Sequence, residues 1–208
     1  MKEVQAPEGY VRNTDDVYTF AFSYTNDKEA KQTFKHTFKN ERVTAKISLQ
    51  KQDKETKRQF HRRCHSGKAV YGLYAREDIV HPDGATDVIY KAGEQVATLT
   101  TDENGQASVD GLYLGNYYVK EITPPTGYLA DEEEHDLVCN YEGDLVAEVN
   151  RECLSLEQVM KQPFQIIKAA NNGKTDADLL KGAGFTAYLA SSLKVKEDGS
   201  YDLILQNR

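Results

Sequence analysis

Apolar and polar residues alternate in short runs along most of the chain, which is the pattern of strands that bury one face. Runs of this kind occupy residues 18–24, 43–49, 69–75, 95–100, 117–122 and 145–150. Helical periodicity is weak, and only residues 88–94 are predicted as a helical turn. Short strands with so little helix predict an all-β protein built as an antiparallel β-sandwich.

Turn-forming residues separate these runs, which supports their assignment as strands. The clearest turns are Pro82-Asp83-Gly84, Asn104-Gly105, Gly115-Asn116 and Glu142-Gly143, because Gly, Asn and Asp adopt the backbone angles that tight turns require. The period-two pattern between the turns then predicts which side chains form the core of the central sandwich: Tyr71, Leu73, Val96, Leu99, Tyr117 and Val119.

The chain contains an internal repeat. KEVQAPEGYV at 2–11 recurs as KEITPPTGYL at 120–129, an offset of 118, and ISLQK at 47–51 recurs as FQIIK at 164–168, an offset of 117. A third pair, AVYGLY at 69–74 and AGFTAY at 183–188, has an offset of 114. A period of about 115 residues is the usual size of one domain.

The phase of the repeat predicts one complete domain between two partial ones. Residues 43–159 form the complete repeat, 1–42 the C-terminal part of a preceding repeat, and 160–208 the N-terminal part of a following repeat. Each partial piece is expected to leave sheet edges exposed, which favours association. The first piece would then add to the third in a composite sandwich, either within a chain or between chains.

Composition narrows the functional classes. The 208 residues carry 33 acidic and 26 basic side chains, a net charge of −7, which argues against a nucleic-acid partner or an anionic membrane surface. No apolar run approaches the roughly 18 residues of a membrane span. Cys64, Cys139 and Cys153 cannot all pair within one chain and are too few for a disulfide scaffold.

Two polar clusters suggest metal ligands but do not match known metal sites. His61, Cys64 and His65 lack the second ligand pair of a structural zinc site, and the acidic run 131–136 lacks the oxygen spacing of a calcium loop. Both are interpreted as solvated loops, although the basic surroundings of Cys64 make it the most reactive thiol expected. No nucleophile elbow, phosphate loop or metalloprotease motif is present, so we predict neither enzymatic activity nor a cofactor.

Four segments carry a resemblance to a known family: QKQDKET at 50–56, AVYGLYARED at 69–78, VATLTTDENGQASVDGLYLGNYYVKEITPPTGY at 96–128 and KEVQAPEGY at 2–10. They resemble the prealbumin-like repeat domains of Gram-positive surface proteins, the SpaA pilin and collagen-adhesin B-region (Cna-B) modules. The resemblance implies an extracellular stalk or spacer at the cell wall, with neighbouring repeats as partners. It also implies self-generated isopeptide bonds between a first-strand Lys and a last-strand Asn or Asp.

The residues allow a separate test of that chemistry. Amide formation needs a neutral amine and a proton shuttle beside the carboxamide, and burial favours both. Strand alternation places Lys51 on the same face as Ile47 and Leu49, and Glu121 on the same face as Tyr117 and Val119. We therefore predict that Lys51 and Glu121 approach each other in the core of the middle domain.

The Asn or Asp that would form the amide bond with Lys51 depends on how the spacing is counted. Asn150 is the nearest residue of the required type, but it lies 29 residues after Glu121, against 37 between Glu3 and Asn40 in the first piece. Asn40 also lies seven residues before Ile47, and seven residues before Phe164, the counterpart of Ile47, lies Glu157. Counting 37 residues on from Glu121 instead gives Gln158, and a one-residue slip gives Leu156. We therefore predict no amide bond in the middle domain, and an ion pair or hydrogen bond if Glu157 occupies the position.

The flanking pieces each hold only part of such a triad. The first has Glu3 and Asn40 but no first-strand Lys, and the third has Lys168 without later strands. The leading hypothesis is a structural, non-catalytic segment of a surface adhesin or pilin-like protein. Two alternatives remain open: a module that binds a host extracellular-matrix protein or glycan, and a hydrolase that acts on wall or carbohydrate polymers.

Overall fold

The computed structural model describes residues 1–24, 31–57, 68–170, 182–188, 193–197 and 199–203. The chain forms two compact units, Met1–Lys161 and Gln162–Arg208. The predicted division into three repeats at residues 42 and 159 remains a prediction.

Two sheets face each other in the first unit. The described strands are β1 (Thr44–Asp53), β2 (Val70–Ala75), β3 (Ile79–Val80), β4 (Val88–Tyr90), β5 (Gln95–Thr100), β6 (Gln106–Leu112), β7 (Gly115–Thr123), β8 (His135–Cys139) and β9 (Glu148–Glu157). A three-stranded sheet has the order β6-β1-β9, a four-stranded sheet has the order β5-β2-β7-β8, and β3 pairs with β4 in a hairpin. This is the all-β sandwich that the alternation predicts.

The pairing of β1 with β9 departs from the expected antiparallel arrangement. These two strands run parallel over ten residue pairs, from Thr44 opposite Glu148 to Asp53 opposite Glu157, whereas β1 pairs with β6 antiparallel. The first and last strands of the sandwich therefore lie side by side in the same direction.

The core lies between the two sheets and follows the period-two pattern. Tyr71, Leu73, Leu99, Tyr117 and Val119 are buried as predicted, and Val96 packs against them half-buried. From the three-stranded sheet, Ile47 and Leu49 of β1 and Val149 and Cys153 of β9 contribute to the same core. The burial of alternate residues along β1 and β9 continues to their C-terminal ends.

Two predictions of secondary structure are wrong. Residues 88–90 form strand β4 instead of a helical turn, because Ile79 and Val80 pair with them. Residues 18–24 form no strand, and Val17 makes a single bridge to Lys2. A β-strand needs a partner to satisfy its backbone groups, so alternation alone did not determine the structure of 18–24.

The internal repeat reappears as a repeated hydrogen-bond pattern. Backbone amides of Tyr10, Val11 and Val43 donate to the carbonyls of Pro7, Glu41 and Gly9 at 3.1, 2.8 and 2.8 Å. At the end of the sandwich, Tyr128, Leu129 and Met160 donate to Pro125, Gln158 and Gly127 at 3.2, 2.9 and 2.9 Å. These partners are related by offsets of 118 and 117, so the backbone hydrogen bonds that join residues 7–11 to 41–43 repeat those that join 125–129 to 158–160.

The second unit contains a short antiparallel hairpin among its described residues. Strand β10 (Leu193–Val195) pairs with β11 (Tyr201–Leu203), with Leu193 opposite Leu203 and Val195 opposite Tyr201. Residues 161–168, at the boundary of the two units, have exposed side chains. No helix in the described part of the chain has the length and apolar character needed to span a membrane.

Candidate functional site: a buried lysine between two carboxylates

Three charged side chains meet inside the sandwich because strand alternation turns each of them inward. Lys51 continues the buried face of Ile47 and Leu49 near the end of β1, and Glu121 continues the buried face of β7. Glu157 is the last residue of β9 and follows Cys153 and Ser155 on its buried face. The Lys51 residue is 2% exposed and Glu157 is 0% exposed, so the pleat alone forces these charges into an apolar interior.

The lysine ammonium bridges the two carboxylates and thereby the two sheets. Lys51 Nζ lies 2.8 Å from Glu157 Oε1 and 3.0 Å from Glu121 Oε1. Lys51 and Glu157 belong to the three-stranded sheet, and Glu121 belongs to the four-stranded sheet. A buried ammonium is tolerated only when such ion pairs and hydrogen bonds replace its hydration.

A ring of hydrogen bonds connects the two carboxylates by a second route. The Tyr71 hydroxyl lies 3.0 Å from Glu157 Oε1 and 2.9 Å from Ser155 Oγ, and Ser155 Oγ lies 3.1 Å from Asp131 Oδ2. The backbone amide of Asp131 then donates to Glu121 Oε2 at 2.8 Å. The polar groups at this position therefore form a closed network around the Lys51 ammonium.

The surface end of the network is a half-buried histidine. His135 Nε2 lies 2.8 Å from Asp131 Oδ2. Burial opposes ionisation of Asp131, but the hydrogen bonds from His135, Ser155 and the Glu133 amide outweigh that effect and lower the Asp131 pKa. Asp131 is thus held as an anion that accepts hydrogen bonds from both sides.

The pKa of Glu157 shifts in the opposite direction to that of Asp131. Burial raises its pKa above the ordinary value, although the Lys51 ammonium opposes the rise. Its second oxygen, Oε2, has no hydrogen-bond partner among the described residues, which further disfavours the ionised form. Burial also raises the pKa of the Tyr71 hydroxyl, so that group acts as a hydrogen-bond donor rather than as a phenolate.

The structure separates the predicted site residues into those that meet and those that do not. Lys51 and Glu121 are in contact, and Glu157 occupies the third position of the cluster. Glu157 lies seven residues before Phe164, as Asn40 lies seven residues before Ile47. Asn150 lies opposite Lys46, five residues before Ser155, and its side chain is exposed. An odd number of positions separates Asn150 from the buried residues Ser155 and Glu157, so it points to the other face of the strand.

The members of the flanking triads also have defined places. Asn40 Nδ2 donates to Glu3 Oε2 at 2.7 Å, and the Asn13 amide donates to the same oxygen at 2.8 Å, as the Asp131 amide does to Glu121. Lys168 is exposed in the second unit. Sequence reasoning missed Ser155 and Asp131 as members of the network, since neither residue is unusual at a strand or loop position.

The remaining candidates lie away from the cluster. Cys139 and Cys153 are buried free thiols, and burial raises the pKa of both, that of Cys153 to about 11. Thiols of this kind are poor nucleophiles at neutral pH. In the acidic run 131–136, Glu134 and Asp136 pair with Arg76. His61, Cys64 and His65 lie outside the described residues.

Solved structures similar to this chain include the Bacillus anthracis TIE protein and major pilin subunits. The Bacillus anthracis TIE protein is 22% identical, with a TM-score of 0.48 over 76% of this chain and 24% of its own. The Bacillus cereus major pilin subunit BcpA is 22% identical, with a TM-score of 0.36 over 55% of this chain and 28% of its own. The Corynebacterium diphtheriae major pilin SpaA is 14% identical, with a TM-score of 0.40 over 55% of this chain and 30% of its own. The chain spans less than a third of each of these proteins. No curated protein matches its sequence.

A family model gives the assignment directly. The model of the SpaA prealbumin-like fold domain matches residues 45–152, just over half of the chain. The matched range runs from the second residue of β1 into the middle of β9 and therefore covers both sheets. The chain belongs to the SpaA family of prealbumin-like fold domains.

Proposed function

We propose that this chain is a non-catalytic stalk or spacer segment of a Gram-positive cell-surface protein, a pilin or an adhesin, and that its sandwich resists extension along the chain. The observation that carries the proposal is the parallel pairing of the first and last strands, β1 and β9, over ten residue pairs. The match of residues 45–152 to the SpaA prealbumin-like fold domain supports the same role.

The parallel pair determines how tension acts on the sandwich. The chain enters β1 at Thr44 and leaves β9 at Glu157, and these two residues lie at opposite ends of the pair. Tension between them pulls the strands past each other in opposite directions, so all the hydrogen bonds of the ladder are strained together. Peeling the strands from one end would instead break these bonds one at a time.

The buried cluster strengthens the sandwich at the end of this pair. Lys51 and Glu157 lie on the two paired strands, and Glu121 lies on the facing sheet. Sliding of β1 along β9 would separate the ammonium from its carboxylates in a low-dielectric interior, where a charge without its partner is costly. We propose that this ion cluster takes the place of a Lys–Asn amide bond in this domain.

The same geometry weakens the hydrolase alternative. The carboxylates that converge, Glu121 and Glu157, do so inside the sandwich with their side chains 0% exposed. A polymeric substrate has no access to them there, whereas glycosidases present their two carboxylates in an open cleft. The placement therefore favours a structural role for this pair of acids.

Single-molecule force spectroscopy tests the proposal by changing the direction of pulling. One attachment uses the two ends of the chain, which shears β1 against β9; the other uses cysteines introduced as Thr44→Cys and Glu148→Cys, residues that lie opposite each other at one end of the pair. We expect a clearly higher unfolding force for the sandwich in the first geometry. Equal forces would contradict a role in resisting extension.

A second comparison isolates the ion cluster. Lys51→Met removes the buried ammonium and should lower the unfolding force in the shear geometry. Arg76→Met is the matched control, because Arg76 also pairs with two carboxylates, those of Glu134 and Asp136, but at the surface. The control should leave the force unchanged, since exposed ion pairs contribute little.

A further inference from the structure

Residues 18–24 and 31–38 carry an exposed aromatic surface. Phe20, Phe22 and Phe34 are 42%, 75% and 37% exposed, and the Phe34 ring lies 5.0 Å from that of Phe20 and 5.2 Å from that of Phe22. We call these three residues the aromatic face. Exposed aromatic side chains that lie against one another are a feature of interaction sites.

The internal repeat identifies what such a face contacts elsewhere in the protein. At the offset of 117 that relates Asn40 to Glu157, Phe20 and Phe22 correspond to Leu137 and Cys139. In the sandwich both of these residues are buried in the core, to which β1 contributes Ile47 and Leu49. By the repeat, Phe20 and Phe22 of the aromatic face hold core positions, and a strand of the β1 type is what would cover them.

A segment that corresponds in sequence to β1, and that is not paired as a strand, has its apolar side chains exposed. Phe164, Ile166 and Lys168 are the counterparts of Ile47, Leu49 and Lys51 at the same offset. The β1 residues are 0%, 1% and 2% exposed, whereas Phe164 is 75% and Ile166 51% exposed. Residues 161–168 thus display the inward-facing pattern of β1 on an open surface.

Charge complementarity points to the same pairing. Glu3 and Asn40 are hydrogen-bonded to each other at 2.7 Å in the positions that Glu121 and Glu157 occupy in the sandwich. There the two side chains enclose the Lys51 ammonium. Lys168, the counterpart of Lys51, is exposed, so one segment offers a carboxylate and an amide while the other offers the matching cation.

We propose that residues 161–168 of one copy of this chain add as a strand to residues 31–40 of a second copy, parallel and in the register of β1 with β9. In that register Lys168 lies opposite Phe38, as Lys51 lies opposite Ser155. Phe164 and Ile166 cover the aromatic face of the second copy, and Lys168 forms an ion pair with its Glu3. Backbone pairing gives affinity and the inward side chains give specificity, as in other strand-addition complexes.

The two surfaces differ, so the contact is head-to-tail. Each copy keeps one unused aromatic face and one unused 161–168 segment after a single contact forms, and further copies add at both ends. The expected product is a linear series of oligomers whose size increases with protein concentration. The association extends the proposed stalk role but does not depend on it, since a chain that resists extension can do so as a monomer.

The test uses two variants of the full chain that each damage one surface. Phe22→Asp places a charge on the aromatic face, and Phe164→Asp places one on the donor segment; both positions are exposed, so the fold is retained, which circular dichroism checks. Light scattering after size exclusion, over an about hundredfold concentration range, should show oligomers for the unmodified chain and monomers for each variant alone.

The decisive sample is the mixture of the two variants. Each variant keeps the surface that the other has lost, so an equimolar mixture should form a dimer and nothing larger. A monomeric unmodified chain, as would result from pairing within one chain or from a site kept for a different protein, would overturn the proposal. A mixture that remains monomeric, or a single variant that still dimerises, would overturn it as well.

A charge exchange tests the register separately. Lys168→Glu should weaken oligomer formation at least tenfold in concentration, and the double variant Glu3→Lys, Lys168→Glu should restore it. Lys161→Glu is the control for charge alone, because Lys161 pairs with Glu55 of its own unit at 2.6 Å. If Lys161→Glu weakened oligomer formation as much as Lys168→Glu does, the placement of Lys168 beside Glu3 would be contradicted.

Discussion

At the residue scale, the chemistry of the buried cluster depends on which acyl group lies beside Lys51. The position held by Asn40 in the first piece is held by Glu157 in the sandwich, 2.8 Å from the ammonium. A carboxamide can release ammonia when an amine attacks it, whereas an ionised carboxylate is a poor electrophile and instead pairs with the protonated amine. The cluster therefore favours an ion pair over an amide.

Intact-mass spectrometry distinguishes these two states. We expect the purified chain to have the mass calculated from its sequence, because Asn150 does not reach Lys51 and Glu157 is an acid. An amide bond at Lys51 would lower the mass by about 17 to 18 Da through loss of ammonia or water. The Lys51→Ala chain is the reference, and a deficit present in the parent but absent in this variant would contradict the ion-pair assignment.

Removing the ammonium should be costly. Lys51→Met retains most of the apolar stem but leaves Glu121 and Glu157 facing each other in the core, so we expect the free energy of unfolding to fall by about 3 to 5 kcal/mol. Urea denaturation at neutral pH measures the change. Arg76→Met, at an exposed ion pair, should change the unfolding free energy little, and similar losses in both variants would contradict the special role of the buried cluster.

The raised pKa of Glu157 makes stability depend on pH. A carboxyl whose pKa is higher in the folded than in the unfolded state stabilises the fold when protonated, and this contribution is lost as the pH rises through the folded-state pKa. Glu157→Gln cannot ionise, so its stability relative to the parent should improve as the pH rises above the ordinary range of a Glu carboxyl. Urea midpoints measured across the pH range test this.

The control for that series is Glu152→Gln, an exposed position on the same strand. Its difference from the parent should stay nearly constant with pH. A Glu157→Gln difference that is also constant, or that grows less favourable as the pH rises, would show that burial does not determine the protonation of Glu157.

At the scale of elements, the turn that starts β7 illustrates how closely the hairpins pack against the core. Gly115 has a φ of +155°, and a Cβ there would lie 2.9 Å from Cγ1 of the buried Ile79. Gly84, in the loop between β3 and β4, has a φ of +67° with no heavy atom within 4 Å of its Cβ position among the described residues. Comparing substitutions at the two glycines therefore distinguishes the cost of backbone strain from the cost of crowding in the core.

We expect Gly115→Ala to cost more than Gly84→Ala. The change at Gly84 adds only the strain of a left-handed alanine, about 1 kcal/mol. The change at Gly115 also displaces Ile79 from its packed position, for a total of about 2 to 3 kcal/mol. Thermal unfolding of both variants measures the difference, and equal costs would mean that the Ile79 side chain adapts without loss.

At the scale of the whole molecule, the piece 1–42 is joined to the sandwich by several contacts within the first unit. The Asp144 carboxylate accepts a hydrogen bond from the Ala6 amide at 3.1 Å and lies 3.6 Å from the Arg12 guanidinium. Arg42 donates to the carbonyls of Gly111 and Leu112 at 2.7 and 2.9 Å. A joint with so many directional bonds fixes the direction in which the chain enters the sandwich, as the proposed stalk role requires.

Removing the Asp144 carboxylate should loosen this joint without unfolding the sandwich. In Asp144→Ala we expect the Ala6 amide to exchange with solvent about tenfold faster, since one hydrogen bond to a charged group contributes about 1.4 kcal/mol. Amide hydrogen exchange measures this, with Glu142→Ala as the control because Glu142 pairs only with Arg151 among the ion pairs described. Unchanged exchange at Ala6 would show that the joint does not depend on Asp144.

The sequence predicts some strands of the sandwich and misses others. Strands β1, β2, β5 and β7 appear at the predicted runs, whereas the edge strands β6 and β8 lie outside them. Strand β6 buries only Leu112, and β8 only Leu137 and Cys139, so neither forms an extended apolar run. The last strand was predicted to end at Asn150 because the polar run Asn150-Arg151-Glu152 hides the buried residues that follow it, and this error made Asn150 a candidate.

By itself, the sequence determined that the protein is an all-β sandwich with an internal repeat and that Lys51 and Glu121 face inward, because side-chain direction in a strand follows from a period of two. Only the tertiary structure decided which residue completes the cluster. That choice depends on the parallel register of β9 against β1, which places Ser155 beside Lys51 and leaves Asn150 beside Lys46. The alternation in β9 determines which of its side chains face inward, but the residue that lies opposite Lys51 depends on the partner strand, which the sequence of β9 alone does not specify.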